Sequence, residues 1–203
     1  KEHGITSGHV CELGCGTGEM VSRFAKAGYE VTGIDISPDM LAKACEKTEG
    51  MGKISYFEED MTDFSLHKPA DVVLCICDSM NYITNPKDLT SVFSCVKENL
   101  KTGGVFIFDL KTIHFFRDIL ADNTYAENRD ESAFVWDNIY HEDTRDNEYD
   151  LAVFIQNDEG TFDRYEESHF QHGFTQQEVE QAVSRAGLKI RAVYNSFTHD
   201  EPT

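Results

Sequence analysis

The residues best equipped for chemistry lie near the start of the chain. Cys11 to Met20 read CELGCGTGEM, so Gly14, Gly16 and Gly18 alternate between a strand pattern and a helix pattern. Glycine accepts positive φ and lets a ligand lie against bare main chain, and the start of the following helix offers unpaired N–H groups. A merely tight turn needs one or two glycines, so three at this spacing point to a ligand. A dinucleotide fingerprint, G-x-G-x-x-G, would place its third glycine at position 19, which is Glu19, and a carboxylate there would face a pyrophosphate. No lysine follows the glycines, which removes the P-loop. With Glu12 and Glu19 at its two ends, the loop suits a ligand that carries positive charge and no phosphate. Asp35 then closes the next strand pattern (GIDIS), as a ligand-binding acid or as a turn residue ahead of the Ser37 helix.

Taken together, these segments resemble the class I S-adenosylmethionine-dependent methyltransferases. CELGCGTGEM looks like their motif I, which implies that Glu12, Gly14, Cys15, Gly16 and Gly18 form the cofactor loop. The resemblance gives Asp35 the two ribose hydroxyls. It gives Asp60 (EEDMTDF) the adenine amino group, and Met61 a place against the ring. Ile36 and Met40 become the apolar floor of the adenosine site, or else plain core, and the Cys77 backbone falls near the methionine portion of S-adenosylmethionine. The match covers residues 9–110. Beyond it, a Ser-x-x-Tyr pattern at Ser79–Tyr82 and an antiparallel insertion resemble small-molecule methyltransferases, including N-methyltransferases of nucleotide-linked amino sugars, and a set of uncharacterised bacterial methyltransferases.

Methyl transfer from a sulfonium is an in-line displacement in which the protein mainly aligns the reactants. Cys77-Asp78-Ser79-Met80-Asn81-Tyr82 leaves the fourth strand where this family presents motif IV, so Asp78, Asn81 and Tyr82 are expected to face the acceptor. Asp78 is a general base, an amine anchor or a structural loop acid. The N/D-P-P-Y/F signature of amino-directed DNA and protein-glutamine methyltransferases is missing. On a long strand over 161–172, Tyr165, Glu167, His169 and Gln171 share one face, opposite Phe162, Phe170 and the stem of Arg164. His169 is the candidate base, set against the commoner role of a structural histidine. The predicted catalytic set is therefore Asp78, His169 and Tyr82.

The elements that must position these residues follow from periodicity. Strands at 9–13, 30–36, 54–58, 71–77 and 105–110 alternate with helices at 19–27, 37–47 and from Asn85 to Leu100. Strand–helix units at this density predict a doubly wound, mostly parallel α/β sheet of the Rossmann-like methyltransferase type. After residue 111 three longer strands, 133–141, 148–157 and 161–172, form an antiparallel insertion. A helix from Thr175 and a strand over 188–195 return to the core sheet. The expected organisation is one domain over 1–203, with a cofactor core at 9–110, an insertion at 130–173 serving as substrate cap, and a return segment at 174–203.

Bulk composition narrows the partners. The 203 residues carry a net charge of −19, which opposes nucleic-acid binding and favours a small-molecule methyl acceptor. No apolar run approaches the ~20 residues of a membrane span, and no signal peptide is evident, so a cytoplasmic location is expected. Lys1 in place of Met suggests a trimmed N-terminus. Six cysteines without a C-x-x-C pair read as buried thiols in a reducing compartment, and His169 with His172 point to opposite faces, so no metal site is expected. A homodimer is compatible with all of this. Rival readings are a nucleotide-dependent oxidoreductase, which Glu19 opposes, a methyltransferase of tRNA or protein, and a non-catalytic S-adenosylmethionine-binding partner.

Overall fold

The computed structural model describes residues 4–196 and 198–200. It divides into two compact units. The first runs to Met80 and includes Pro86–Leu110 and the chain from Gln176 onward; the second comprises Asn81–Asn85 and Lys111–Thr175.

In the first unit β1 (His9–Leu13), α1 (Glu19–Lys26), β2 (Glu30–Asp35), α2 (Pro38–Lys47), β3 (Ile54–Glu58), β4 (Ala70–Cys75), α3 (Pro86–Asn99) and β5 (Leu100–Phe108) build a five-stranded sheet. Its order is β3-β2-β1-β4-β5 with every pair parallel. β1 is buried along its whole length, as a central strand covered on both faces must be. Helix signals fall where the sequence puts them. Ser37 caps α2 by accepting the Met40 N–H, with Pro38 in the first turn. Gly28, at φ 90°, ends α1. There Tyr29 N–H reaches Phe24 O and Gly28 N–H reaches Ala25 O, while the rings of Phe24 and Tyr29 meet edge to face. Val10, Val21, Val31, Leu41 and Leu74 form the core on one side of the sheet. Phe93 of α3 packs on Phe106 and Phe108 of β5. Between β3 and β4 the crossover is a loop and not a helix. Asn99 holds it, accepting Leu66 N–H at 2.7 Å and donating to Phe64 O at 3.2 Å.

The second unit is a four-stranded antiparallel sheet, β6 (Thr124–Asn128), β7 (Ser132–His141), β8 (Asp146–Gln156) and β9 (Phe162–His172), in sequential order. The sequence reading found three of these strands and missed β6, whose five residues are exposed and give no alternation. A π-helical turn at Phe115–Leu120 precedes it. After the unit, α4 (Gln176–Arg185) belongs to the first unit. The expected strand over 188–195 does not form. These residues pair with no strand, and Ile190, Val193 and Tyr194 are exposed. Alternating apolar residues make a strand only where a partner edge completes the hydrogen bonds. No described helix is long and apolar enough to cross a membrane.

Candidate active site

The strand order reverses between β1 and β4, and in open parallel sheets ligands bind beyond the carboxyl ends of the strands at such a switch. The loops at those ends hold Gly14–Gly18 after β1, Asp35 at the end of β2, Asp60 and Met61 after β3, and Cys77 and Asp78 after β4. All the cofactor residues expected from the sequence, with Asp78, therefore gather at one edge of the first unit.

The three loop glycines are left-handed, with φ of 64°, 51° and 73°, but they do different work. A Cβ on Gly14 would stand 2.7 Å from Ser79 Oγ, and one on Gly18 would stand 2.5 Å from Tyr56 Oη. A Cβ on Gly16 would meet no protein atom within 4 Å. Two glycines thus let neighbouring side chains approach, and one presents bare main chain to open space. Gly16 N–H donates to Asp35 Oδ2 at 2.7 Å, and Ser37 N–H donates to Oδ1 at 2.9 Å. The carboxylate of Asp35 is turned to the glycine loop and also shapes the turn into α2. Ile36 is 70% exposed and Met40 39%, so neither belongs to the core. Both are uncovered apolar surface next to Asp35. Met61 Cε comes within 3.7 Å of the Gly14 Cβ position. Asp60 Oδ1 accepts from Thr62 N and Oγ1 at 2.8 and 2.7 Å. Cys15 is buried, and burial with the charges of Asp35 and Glu12 pushes its thiol up to about 12, so it offers a ligand only its backbone.

Glu12 is the unusual acid of this edge. It is buried, Val21 N–H bonds its carboxyl, and Oε2 has no hydrogen-bond partner among the described residues. Burial first, and the charge of Asp35 second, raise its pKa from an ordinary 4.5 to about 7. The unfolded chain loses this proton near pH 4.5 while the folded chain keeps it to about 7. Stability attached to this group is therefore complete below pH 4.5 and is lost as pH rises through that window, by about 3 kcal/mol. Glu12→Gln is expected to be more stable than the parent at pH 8 by about this amount, with the gap closing near pH 4.5. Urea denaturation at the two pH values measures it, and an equal gap at both would contradict the assignment.

Cys77 and Asp78 carry consecutive positive φ values of 61° and 55° without being glycine, a conformation costing ~1–3 kcal/mol each. Asp109, just after β5, holds them: its Oδ2 accepts Cys77 N–H at 3.0 Å and its Oδ1 accepts Asp78 N–H at 2.7 Å. The sequence reading missed Asp109. Its signal was an acid at the carboxyl end of an apolar parallel strand (VFIFDL), the same placement as Asp35; the structure makes that strand, expected to be buried, a half-exposed sheet edge.

In the second unit a second polar group gathers around Tyr82, the last residue of a 3-10 turn. Tyr82 Oη lies 2.9 Å from Tyr149 Oη and 3.0 Å from His169 Nδ1. His169 Nε2 lies 3.1 Å from Glu167 Oε2, and the His169 ring stacks on Tyr149 at 4.6 Å. With Glu167 accepting from Nε2–H, Nδ1 is the acceptor for the Tyr82 hydroxyl. The structure thus brings Tyr82 and His169 together. It adds Tyr149 and Glu167, which needed the β8–β9 register (Tyr149 opposite His169) to be found. Asn81 does not face an acceptor. It is fully buried, donating to Lys111 O and His172 O at 3.0 and 2.9 Å and accepting Lys111 N–H at 2.8 Å. An amide that matches two backbone segments at once is a structural clasp.

Fit to S-adenosylmethionine can be judged from the first unit alone. An orphaned carboxyl oxygen, main chain open at Gly16, a carboxylate at Asp35 and exposed Ile36 and Met40 match a ligand with cationic groups, a diol and an apolar ring. A family model described as a methyltransferase domain matches residues 10–104. A chain named as a methyltransferase, YqeM of Bacillus subtilis strain 168, is 32% identical over 97% of this chain and 79% of its own length. The crystal structure of an S-adenosylmethionine-dependent methyltransferase from Clostridium acetobutylicum superposes with a TM-score of 0.90 at 23% identity, covering 100% of this chain and 81% of its own. CalS10, an amino pentose methyltransferase from Micromonospora echinaspora seen with S-adenosylmethionine bound, gives 0.78 at 20% identity, with 98% and 82% covered. This chain belongs to the class I S-adenosylmethionine-dependent methyltransferases.

Proposed function

We propose that this enzyme methylates a small-molecule acceptor by in-line displacement, with S-adenosylmethionine at the carboxyl edge of the parallel sheet. The observation that carries the reading is the bare main chain at Gly16, bonded to Asp35 and flanked by the buried Glu12. In this reading Gly14, Cys15, Gly16 and Gly18 offer backbone to the amino-acid portion, and Glu12 supplies negative charge behind it. Asp35 holds the ribose, Ile36, Met40 and Met61 enclose the adenine, Asp60 takes its amino group, and the Cys77 backbone borders the sulfonium end. The cofactor supplies the electrophilic methyl group.

The chain's own residues handle the acceptor. With S-adenosylmethionine bound, the acceptor's lone pair would take the methyl group that the cofactor supplies, leaving an acceptor proton for the chain to remove. The acceptor proton passes to Tyr82 Oη while the Tyr82 proton passes to His169 Nδ1, and Glu167 stabilises the imidazolium that results. Asp78 anchors a polar or amino group of the acceptor. An amine acceptor and a hydroxyl acceptor both fit this arrangement, and CalS10 is named for an amino pentose substrate. The charge of −19 favours such acceptors over tRNA. The six free cysteines fit a reducing cytoplasm.

Gly16→Ala tests the reading. The added methyl meets no protein atom, so the fold should lose only ~1–2 kcal/mol from the left-handed backbone. Affinity for S-adenosylhomocysteine should nonetheless fall at least about tenfold, equivalent to about 1.4 kcal/mol. Calorimetry beside a thermal melt separates the two effects. Unchanged affinity would mean that nothing binds against Gly16.

A further inference from the structure

Two successive non-glycine residues in the left-handed region are an unusual backbone, and Cys77 and Asp78 make one at φ 61° and 55°. Aspartate is enriched at positive φ and cysteine is not, so the strain is concentrated at Cys77. The Asp109 carboxylate opposes that strain with charge-assisted bonds to both N–H groups, at 3.0 and 2.7 Å. Its own N–H bonds Cys75 O at 3.2 Å, which fixes the acid against the end of β4.

Peptide planarity extends the effect. The N–H and C=O of one trans peptide point to opposite sides, so drawing Asp78 N–H onto Asp109 turns the Cys77 carbonyl away from it. The Ile76 carbonyl is turned away in the same manner and accepts the Ser79 hydroxyl at 3.1 Å. Ser79 in turn occupies the space that a side chain on Gly14 would need, with its Oγ 2.7 Å and its Cβ 2.8 Å from the Gly14 Cβ position. One carboxylate at the end of β5 therefore sets the loop after β4, and that loop abuts the glycine loop after β1.

We infer that Asp109 is a positioning residue for cofactor binding: acting through the main chain of Cys77 and Asp78, it keeps the Cys77 carbonyl and Ser79 in place so that two strand-end loops meet S-adenosylmethionine already formed. The inference rests on the reading that puts the Cys77 backbone beside the sulfonium end. A loop ordered before binding adds no ordering cost to it, and that is the advantage the carboxylate confers.

Asp109→Asn keeps the shape but leaves one acceptor oxygen, and its amide NH₂ meets the other N–H donor to donor. Calorimetry should show S-adenosylhomocysteine bound roughly tenfold more weakly, still at one site per chain. In the ligand-free protein, hydrogen exchange at the Cys77 and Asp78 amides should rise at least about tenfold, with the β1 and β4 amides as protected as in the parent. Asp109→Glu retains both oxygens and should fall between the two. Glycine takes left-handed backbone without a Cβ penalty, so adding Cys77→Gly to Asp109→Asn should recover at least about threefold in affinity. A role confined to the stability of β5 predicts no such rescue. Parental affinity in Asp109→Asn, or a double variant that binds no better than the single one, overturns the inference. A parent protein that binds no S-adenosylhomocysteine refutes instead the enzyme reading beneath it.

Discussion

Asp35→Ala is expected to raise the Kd for S-adenosylhomocysteine by roughly 10²–10⁴-fold, because two charge-assisted hydrogen bonds to the ribose, each ~1.5–3 kcal/mol, are lost together. The same carboxylate accepts Gly16 N–H and Ser37 N–H, so the variant also frees the loop that the ligand must find in place. Asp35→Asn is the informative companion. Its amide oxygen still serves one N–H, and its loss of affinity should fall between parent and alanine. Calorimetry on all three proteins measures the series. A Kd within threefold of the parent for Asp35→Ala would remove the ribose contact and leave Asp35 as a turn residue only.

The second large effect belongs to Tyr82. Tyr82→Phe removes the oxygen that stands between His169 Nδ1 and Tyr149 Oη, and with it the proposed route for the acceptor proton. Positioned acid–base groups typically contribute 10²–10⁴-fold, so kcat for a hydroxyl acceptor should fall by roughly that factor. KM and the Kd for S-adenosylhomocysteine should change little. His169→Gln is expected to fall nearly as far. Glu167→Gln should fall less, since it disturbs the tautomer and leaves the ring in place. A neutral amine acceptor attacks before it loses a proton, and the three variants should then differ from the parent by less than about tenfold. Steady-state kinetics with matched phenol and amine acceptors gives the comparison, and a Tyr82→Phe enzyme of parental kcat on the phenol would end the relay.

What could be read from the sequence was what neighbours in the chain decide. The β1–glycine loop–α1 unit, Asp35 at the end of β2 and the Ser37–Pro38 start of α2 are local patterns, and the structure builds each of them. The division of labour within the loop was not local. Gly14 and Gly18 are required by Ser79 and Tyr56, dozens of residues away, and only Gly16 faces open space. Asp109 escaped notice because its partners, Cys77 and Asp78, lie across the sheet in the sequence-distant loop after β4. Tyr149 and Glu167 become visible only once β8 and β9 are set in register. Asn81 was misread for the same reason. A polar residue beside a motif looks like a site residue until its backbone partners at 111 and 172 are known. The strand expected at 188–195 was a propensity without a partner.

Asn81 has a further meaning for how this architecture is inherited. The segment after β5 looks like a self-contained insertion that could be exchanged between relatives as one cassette. Its fastening, however, comes from the short stretch Asn81–Asn85, encoded upstream of α3. A chimera that swaps 111–175 alone would import a sheet shaped for one clasp and keep another, leaving carbonyls at positions 111 and 172 without their donor. The two stretches form one heritable module interrupted by a helix and a strand, and recombination that respects only sequence contiguity should yield poorly folded hybrids.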